Sequence, residues 1–268
     1  FDYEERDFVP NYEDRSPRMK YQLPSTPTQA KAHFQPPAGM TVELFAAEPM
    51  VINPIAMDWD LRGRCWVIET PNYPNQVLEN SGSDRISILE DTDGDGQADK
   101  KTIFAEGLNL PTGLLKVEGG LIVAMAPNLL LFLDKNEDDK VDQIQSLASG
   151  FGRFDTHAGP SNLVFGPDNA IWGAVGYSAF TRADGSKFGS GLWKWDSSQE
   201  EPEFLAQFTN NTWGLGIRAD GEVFGSTANG APSFFMGANK LDLAKSNPNH
   251  AGAAPVHDSA WVFPSLAE

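Results

Sequence analysis

The sequence predicts an all-β fold, a β-propeller made of four-stranded blades. Two observations indicate this class. Short segments rich in Val, Ile, Phe and Trp alternate with polar turns, which is typical of strands rather than helices. An aspartate-rich loop, the strand after it and the next turn also recur at an interval of 43 residues, from Asp91 to Asp134 and from Gly107 to Gly150. Repeats of about 40–45 residues with strand content are typical of propeller blades.

The number of strands indicates that the propeller is incomplete in this chain. About thirteen strand-like segments, which begin with "TVELFAAE" at residues 41–48, make three to four blades, whereas closed propellers usually have four to eight. We therefore expect the first part of a larger propeller of about six blades. Its open edge would need covering by another polypeptide or by the N-terminal arm.

One hairpin recurs three times along these strands. The segments "MDWDLRGRCWVIE", "LVFGPDNAIWGAVG" and "LGIRADGEVFGST" each place a polar turn between two apolar runs. We interpret each turn as the connection between the second and the third strand of a blade.

The chain divides into two regions of different character. Residues 1–38 contain six prolines and no sustained hydrophobic periodicity. We expect an extended, Pro-rich arm there, lying on the domain surface or partly disordered. The partial propeller is expected over residues 39–268.

The first aspartate-rich loop, "EDTDGDGQADKK", has the spacing of a calcium loop. Oxygen ligands would come from side chains at positions 1, 3, 5 and 9 and from the backbone carbonyl at position 7. These positions are Asp91, Asp93, Asp95, Asp99 and Gln97. Gly96 stands at position 6, where such a loop turns sharply, but Thr102 replaces the glutamate that an EF-hand has at position 12. The flanks predict strands, so we expect a calcium loop that joins two strands, with an empty acidic turn as the alternative.

The second loop, "LDKNEDDKVDQ", repeats this pattern. Its ligands would be the side chains of Asp134, Asn136, Asp138 and Asp142 and the carbonyl of Lys140. Asp139 stands at position 6 in place of glycine. We therefore expect the second loop to have a looser geometry than the first.

Composition excludes several classes of partner and site. Acidic residues outnumber basic ones by 37 to 20, and the net charge of −17 argues against nucleic acid and anionic membranes as partners. Cys65 is the single cysteine, so an intrachain disulfide and a CxxCH haem site are excluded. The longest apolar region is interrupted by Pro127 and Asn128, so we expect no transmembrane segment. No signal peptide is recognised at the N-terminus, as in a processed exported chain or a cloned fragment.

Several segments together resemble a bacterial family. They are "NPIAMDWDLRGRCWVIETPNYP", "DRISILEDTDGDGQADKKTIFAEGLNLPTGL", "APNLLLFLDKNEDDKVD" and "GFGRFDTHAGPSNLVFGPDNAIWGAVG". The family is that of the membrane-bound dehydrogenases of planctomycetes and verrucomicrobia, propellers similar to sorbosone and soluble glucose dehydrogenases that use pyrroloquinoline quinone (PQQ). The resemblance covers roughly residues 38–230. It implies a protein exported to the periplasm, the cell surface or the extracellular space.

The resemblance assigns the role of catalytic base to His157 in "FDTHAGPSNLVFGPD". In the quinone-dependent sugar dehydrogenases, a histidine before a similar strand takes the proton of the sugar hydroxyl while hydride passes to the quinone. An imidazole suits this task because its ordinary pKa lies near neutral pH. The alternative is a histidine that only hydrogen-bonds neighbouring loops.

The resemblance also implies cofactor contacts. The segment "TNNTWGLGI" is similar to the one in which an arginine and an asparagine of those enzymes contact PQQ. Asn211 matches the asparagine, and Asn210 stands in the place of the arginine. Gly230 lies near the backbone turn that holds the catalytic calcium there, with the register shifted by one residue. A trianionic quinone favours a guanidinium over a neutral amide, so Asn210 weakens the expectation of PQQ.

Three functions remain open from the sequence. The first is an exported oxidoreductase that acts on sugar or polyol hydroxyls with a quinone-type hydride acceptor. The second is a non-catalytic propeller that serves as a binding or assembly module in a cell-surface or electron-transfer complex. The third is a calcium-dependent lactonase or other hydrolase, to which Asn162, Asn210 and Asn211 would contribute amide ligands.

Overall fold

The computed structural model describes residues 3–5, 20–75, 82–208, 211–228, 233–236 and 254–255. The chain forms two compact units. The first unit comprises Phe1–Val51 and Asp91–Lys100, and the second comprises Ile52–Glu90 and Lys101–Glu268.

The first unit contains a short strand pair and a helix. Strand β1 (Tyr3–Glu5) pairs antiparallel with β2 (Lys20–Gln22). Helix α1 (Pro27–Ala32) lies within the expected extended arm. It forms there because the Thr26 side chain accepts from the Gln29 N–H at 3.3 Å while the Gln29 side chain accepts from the Thr26 N–H at 2.9 Å. This reciprocal cap and a proline at the first helical position both favour a helix start.

The segment at residues 41–48 is not a strand, which corrects the first strand expected from the sequence. Its alternating pattern is that of a half-buried strand. In the structure the Phe45 carbonyl accepts a hydrogen bond from the Ala98 N–H at 2.8 Å. The segment therefore contacts the first aspartate loop instead of extending a sheet.

The second unit consists of four antiparallel four-stranded sheets and one small strand pair. The first sheet comprises β3 (Pro54–Trp59), β4 (Cys65–Glu69), β5 (Asp84–Glu90) and β6 (Lys100–Leu108). The second comprises β7 (Gly113–Val117), β8 (Gly120–Met125), β9 (Asn128–Leu133) and β10 (Gln143–Ser149).

The third sheet comprises β11 (Pro160–Phe165), β12 (Ile171–Val175), β15 (Gly191–Trp195) and β16 (Glu203–Gln207), with the pair β13 (Phe180–Thr181) and β14 (Lys187–Phe188) inserted before β15. The fourth comprises β17 (Thr212–Ile217), β18 (Val223–Thr227), β19 (Ser233–Met236) and β20 (Ala254–Pro255). These sheets are four blades of a β-propeller, which confirms the predicted all-β propeller of four-stranded blades.

The order of strands within each blade gives the propeller two ends. The first strands of successive blades, β3, β7, β11 and β17, contact one another. The first-to-second turns and the third-to-fourth loops lie at one end, which we call the hairpin end. The second-to-third and fourth-to-first connections lie at the other, the crossover end. The three repeated hairpin turns join the first and second strands of a blade, so their assignment to the second and third strands was wrong.

Apolar side chains from neighbouring blades pack into three core clusters. Trp66 and Trp193 are buried in two of them, whereas Trp59 and Trp213 remain partly exposed. Cys65 is buried in β4, and burial, helped by the charge of Asp58, raises the pKa of its thiol to about 11. Such a thiol is protonated and unreactive at neutral pH. Among the described residues, no helix is both long and apolar enough to cross a bilayer.

Candidate functional site

The first aspartate loop connects β5 to β6, the third and fourth strands of the first blade. One carboxylate organises it: Asp91 Oδ1 accepts from the Gly94 N–H at 2.7 Å and Asp91 Oδ2 from the Gly96 N–H at 2.8 Å. These hydrogen bonds, the one from Gly96 above all, lower the pKa of Asp91. Gly94 and Gly96 have φ of +79° and +88°, a conformation that glycine adopts without strain.

Three of the predicted ligands lie together. One carboxylate oxygen from each of Asp91, Asp93 and Asp95 lies within 4.8 Å of the others. Asp99 does not belong to this group; its carboxylate accepts from the Thr92 N–H at 3.1 Å and from the Thr92 hydroxyl at 2.7 Å, which closes the loop. Three ionised carboxylates at this spacing repel one another, and a hard cation with oxygen ligands removes that repulsion. The donor set therefore fits calcium.

The second loop connects β9 to β10, the equivalent strands of the second blade, and it repeats the hydrogen bonds of the first. Asp134 Oδ1 accepts from the Asp138 N–H at 3.2 Å and Asp134 Oδ2 from the Asp139 N–H at 3.0 Å. Asp142 accepts from the Lys135 N–H at 2.7 Å, as Asp99 does from Thr92. The Asn136 side chain accepts from the Asp138 N–H at 3.1 Å. The bonds to Asp134 are longer than those from Gly94 and Gly96 to Asp91, and the looser geometry expected for the second loop stays a prediction.

Asp139 replaces glycine at position 6 because its carboxylate has a partner in the first blade. Asp139 Oδ2 lies 2.7 Å from Arg64 Nη1, and Asp60 Oδ2 lies 2.8 Å from Arg64 Nε. The guanidinium is buried and bridges the β3–β4 turn to the second loop. Asp139 and the exposed Glu137 both have a positive φ, of +63° and +61°, which costs a non-glycine residue about 1–2 kcal/mol.

These two positions allow a matched pair of substitutions in the second loop. We expect Glu137→Gly to raise the free energy of unfolding by up to about 1 kcal/mol, because it relieves the positive φ of an exposed residue. Asp139→Gly relieves the same strain but removes a carboxylate from buried Arg64, so we expect a loss of about 1–3 kcal/mol. Urea unfolding of both variants measures this, and equal effects of the two would show that the ion pair contributes no stability.

His157 lies at the crossover end, in the connection between β10 and β11. Its Nδ1 lies 3.0 Å from Asp155 Oδ1, which also accepts from the His157 backbone N–H at 2.9 Å. These bonds, the backbone one first, lower the pKa of Asp155. The Asp155 backbone is fixed by Ser178, whose hydroxyl accepts from the Asp155 N–H at 2.9 Å and donates to the Asp155 carbonyl at 2.7 Å. The His157 side chain is 58% exposed, so its remaining ring nitrogen is open to a ligand.

The structure brings Asn211 to His157, whereas the predicted contact of Asn211 with PQQ stays a prediction. The Asn211 side-chain amide donates to the His157 carbonyl at 3.3 Å. A Cβ atom on Gly176 would lie 1.9 Å from Asn211 Oδ1, so this close approach requires glycine. Asn210 and Gly230 lie outside the described residues, and nothing in the structure bears on their predicted roles.

Tyr73 is a member of this site that the sequence reasoning missed. Its ring packs edge-on against His157, with centroids 5.3 Å apart. Burial, and after it the charge of Asp155, raises the pKa of the Tyr73 hydroxyl. The available signal was an aromatic residue in "TPNYPN", the polar connection between β4 and β5, since connections at one end of a propeller meet around its axis.

The described residues at the crossover end do not by themselves fit PQQ. The cavity beside Asp155 has a volume of about 20 Å³ and is lined by Arg153, Thr156 and residues before β7. That volume holds one water molecule. Arg153 is the one guanidinium on its wall, and its Nε donates to the Ala126 carbonyl. A tricyclic, trianionic quinone requires more space and more positive charge.

Comparison with known proteins gives a family and a fold. A family model described as "Domain of unknown function (DUF7133)" matches residues 26–266. No curated protein matches the chain significantly. Among solved structures, the family AA12 carbohydrate-active enzyme of Trichoderma reesei is 14% identical with a TM-score of 0.51, over 74% of this chain and 48% of that one.

Two further structures are similar at comparable levels. The PQQ domain of the pyranose dehydrogenase of Coprinopsis cinerea is 12% identical with a TM-score of 0.50, over 71% of this chain and 45% of that one. The gluconolactonase XC5397 of Xanthomonas campestris is 14% identical with a TM-score of 0.47, over 70% of this chain and 58% of that one. The chain thus spans about half the length of the first two structures, and the likeness shows the propeller fold alone.

Proposed function

This chain belongs to the DUF7133 family, and we propose that it is an exported calcium-binding β-propeller with an oxidoreductase-like activity on the hydroxyl groups of sugars or polyols. We further propose kinship with the membrane-bound dehydrogenases that its motifs resemble. The observation that carries the proposal is the His157–Asp155 pair at the crossover end, 3.0 Å apart and open to solvent.

The geometry suits His157 to general-base catalysis. With Nδ1–H donating to the Asp155 carboxylate, Nε2 carries a lone pair and is the atom that accepts a proton. Asp155 holds the ring in this tautomer and stabilises the imidazolium that forms, and Tyr73 restricts the ring's orientation. A substrate hydroxyl at Nε2 would lose its proton to His157.

Oxidation of the hydroxyl also requires the carbon-bound hydrogen to leave with its electron pair. The resemblance implies a quinone as the acceptor, PQQ in that family. The described residues assign no place to it, so the proposed role of His157 covers only the proton transfer.

We propose calcium as the ion of the aspartate loops. Support comes from the three clustered carboxylates of the first loop and from the repetition of the same backbone in the second. Exposed loops of this kind bind calcium weakly, with dissociation constants of about 10⁻⁴–10⁻³ M in extracellular modules. Such affinities suit an exported protein of the periplasm, the cell surface or the extracellular space, which is the location we propose.

The small crossover cavity favours a second candidate, a non-catalytic propeller that serves as a binding or assembly module. In that case another polypeptide completes or covers the propeller, and the aspartate loops only stiffen the blades. The lactonase alternative has less support, because the one group of three acidic side chains found among the described residues is Asp91, Asp93 and Asp95, and Asn162 does not belong to that loop.

The experiment is dye reduction by the full-length protein with calcium, PQQ and a panel of aldoses and polyols. We expect His157→Ala to lower the rate by about 100-fold and His33→Ala, a change of an exposed histidine in the other unit, to leave it unchanged. Equal rates for His157→Ala and the parent would remove the proposed base. Calcium-dependent hydrolysis of lactones without dye reduction would favour the lactonase over the oxidoreductase. The absence of both reactions would favour the binding module.

A further inference from the structure

A wide groove opens at the hairpin end of the first three blades. Its volume is about 720 Å³, and its walls are the β3–β4 and β7–β8 turns, the second aspartate loop and the end of β11. Small-molecule sites typically measure about 300–1,000 Å³. The groove lies at the opposite end of the blades from His157, so it is separate from the proposed catalytic site.

Apolar side chains on the rim of this groove are exposed to water. Trp59 is 48% exposed, Phe165 is 52% exposed and Leu61 is fully exposed. They come from the first and third blades, and all three line the groove. Exposed apolar residues scattered singly are common, but a group that shares one concave surface marks a binding site.

The floor of the groove is rigid and its charges are paired. Buried Arg64 is held between Asp60 and Asp139, and the Trp66 indole N–H donates to Asp60 at 3.0 Å. The Trp66 ring lies beneath Lys116 Nζ, 5.0 Å from the ring centroid. A floor fixed by such contacts binds a ligand with little further loss of conformational freedom.

The remaining charges of the rim have both signs. Arg62 is exposed and Lys116 is half-buried, while Glu118 and Glu137 add exposed carboxylates and Asp134 belongs to the second aspartate loop. With both signs present, the rim offers no net positive charge to an anionic ligand. Donors and acceptors around exposed aromatic rings instead match a neutral molecule that has many hydroxyls and an apolar face on each ring.

We propose that this groove binds a neutral oligosaccharide. The rings of Trp59 and Phe165 cover the C–H faces of sugar residues, and Arg62 and the carboxylates of the rim hydrogen-bond their hydroxyls. The inference does not depend on the proposed oxidoreductase activity, because none of these residues belongs to the crossover end. A site of this kind would hold the protein on a glycan and raise the local concentration of sugar ends near the other face.

The test is isothermal titration calorimetry of the full chain, in calcium buffer, with cellotriose, maltotriose, xylotriose and chitotriose. We expect saturable binding of at least one trisaccharide, and we expect Trp59→Ala and Phe165→Ala each to weaken it at least about tenfold. Phe154→Ala, a change of an exposed aromatic residue at the crossover end, is the matched control and should leave binding unchanged. Trigalacturonate, an anionic trisaccharide, should bind at least about tenfold more weakly.

Three results would overturn the proposal. The first is that no trisaccharide gives a binding heat, although circular dichroism shows a folded β-protein. The second is that both rim variants bind as tightly as the parent. The third is concentration-dependent self-association that Trp59→Ala abolishes. The last result would identify the groove as a protein interface. His157→Ala should leave trisaccharide binding at this groove intact, so a failed oxidoreductase and a failed groove are distinguishable.

Discussion

Replacement of Glu69 by alanine is expected to lower the free energy of unfolding by about 3–5 kcal/mol. Glu69 ends β4 and its side chain is completely buried. It lies 2.9 Å from Arg85 Nη2 and 2.7 Å from Lys101 Nζ, and it accepts from the Ser87 hydroxyl at 2.5 Å and from the Ile52 N–H at 2.8 Å. Removing the carboxylate leaves two cations without their counter-ion in a mostly buried site, and that accounts for the size of the loss.

The pH dependence of the free energy of unfolding shows that Glu69 stabilises the fold in its ionised form. Burial would raise the pKa of Glu69, but hydrogen bonds from Arg85, Lys101 and Ser87 outweigh it and hold the pKa at about 2, against an ordinary value of 4.5. A lowered pKa stabilises the folded state above about pH 4.5, and this contribution disappears as the pH falls towards 2. Urea unfolding should therefore show a gap between the parent and Glu69→Gln at pH 7 that narrows below pH 4.5. Equal stability of the two at pH 7 would contradict the account.

Removal of calcium is expected to cause the second large loss of stability. At a free calcium concentration about 100 times the dissociation constant, one bound ion stabilises the folded state by about 2.7 kcal/mol. We expect a chelator to lower the melting temperature of the parent protein. Asp91→Ala should lose the part of this shift that the first loop contributes, because Asp91 supplies a ligand and accepts the hydrogen bonds from Gly94 and Gly96 that shape the loop.

The control for the calcium experiment is Asp184→Ala. Asp184 accepts a turn hydrogen bond from the Ser186 N–H at 2.8 Å, as a loop aspartate does, but it does not belong to the carboxylate cluster. This variant should keep the whole calcium-dependent shift. A melting temperature of the parent that is the same in calcium and in chelator would show that the loops act as solvated turns.

Much of the fold could be predicted because its signals are local. The loop from Asp91 to Asp99 carries its own turn chemistry, and the second loop repeats it 43 residues later, at the same place in the next blade. Hairpin turns such as "DLRGR" likewise specify their connection within five residues. Strand β7 has a weaker local signal, because "GLLKV" is short and begins with glycine, and its burial depends on neighbouring blades rather than on its own alternation.

The long-range contacts of the sites could not be predicted in the same way. Arg64 and Asp139 are 75 residues apart in sequence. Nothing near Asp139 indicates that an ion pair with Arg64 accounts for an aspartate at a position where the loop favours glycine. Tyr73 and His157 meet only because connections from different blades share the crossover end. The proximity of Asn211 to His157 was not predicted either, since no spacing rule connects two residues that are 54 positions apart.

The measurement that tests the central claim most directly is equilibrium dialysis of the protein against ⁴⁵Ca²⁺ at millimolar concentration. We expect bound calcium in the parent, at least one ion fewer per chain in the Asp91→Asn, Asp95→Asn double variant, and no change in Asp184→Ala. No bound calcium in the parent, or equal amounts in the parent and the double variant, would contradict the assignment of these loops as calcium sites.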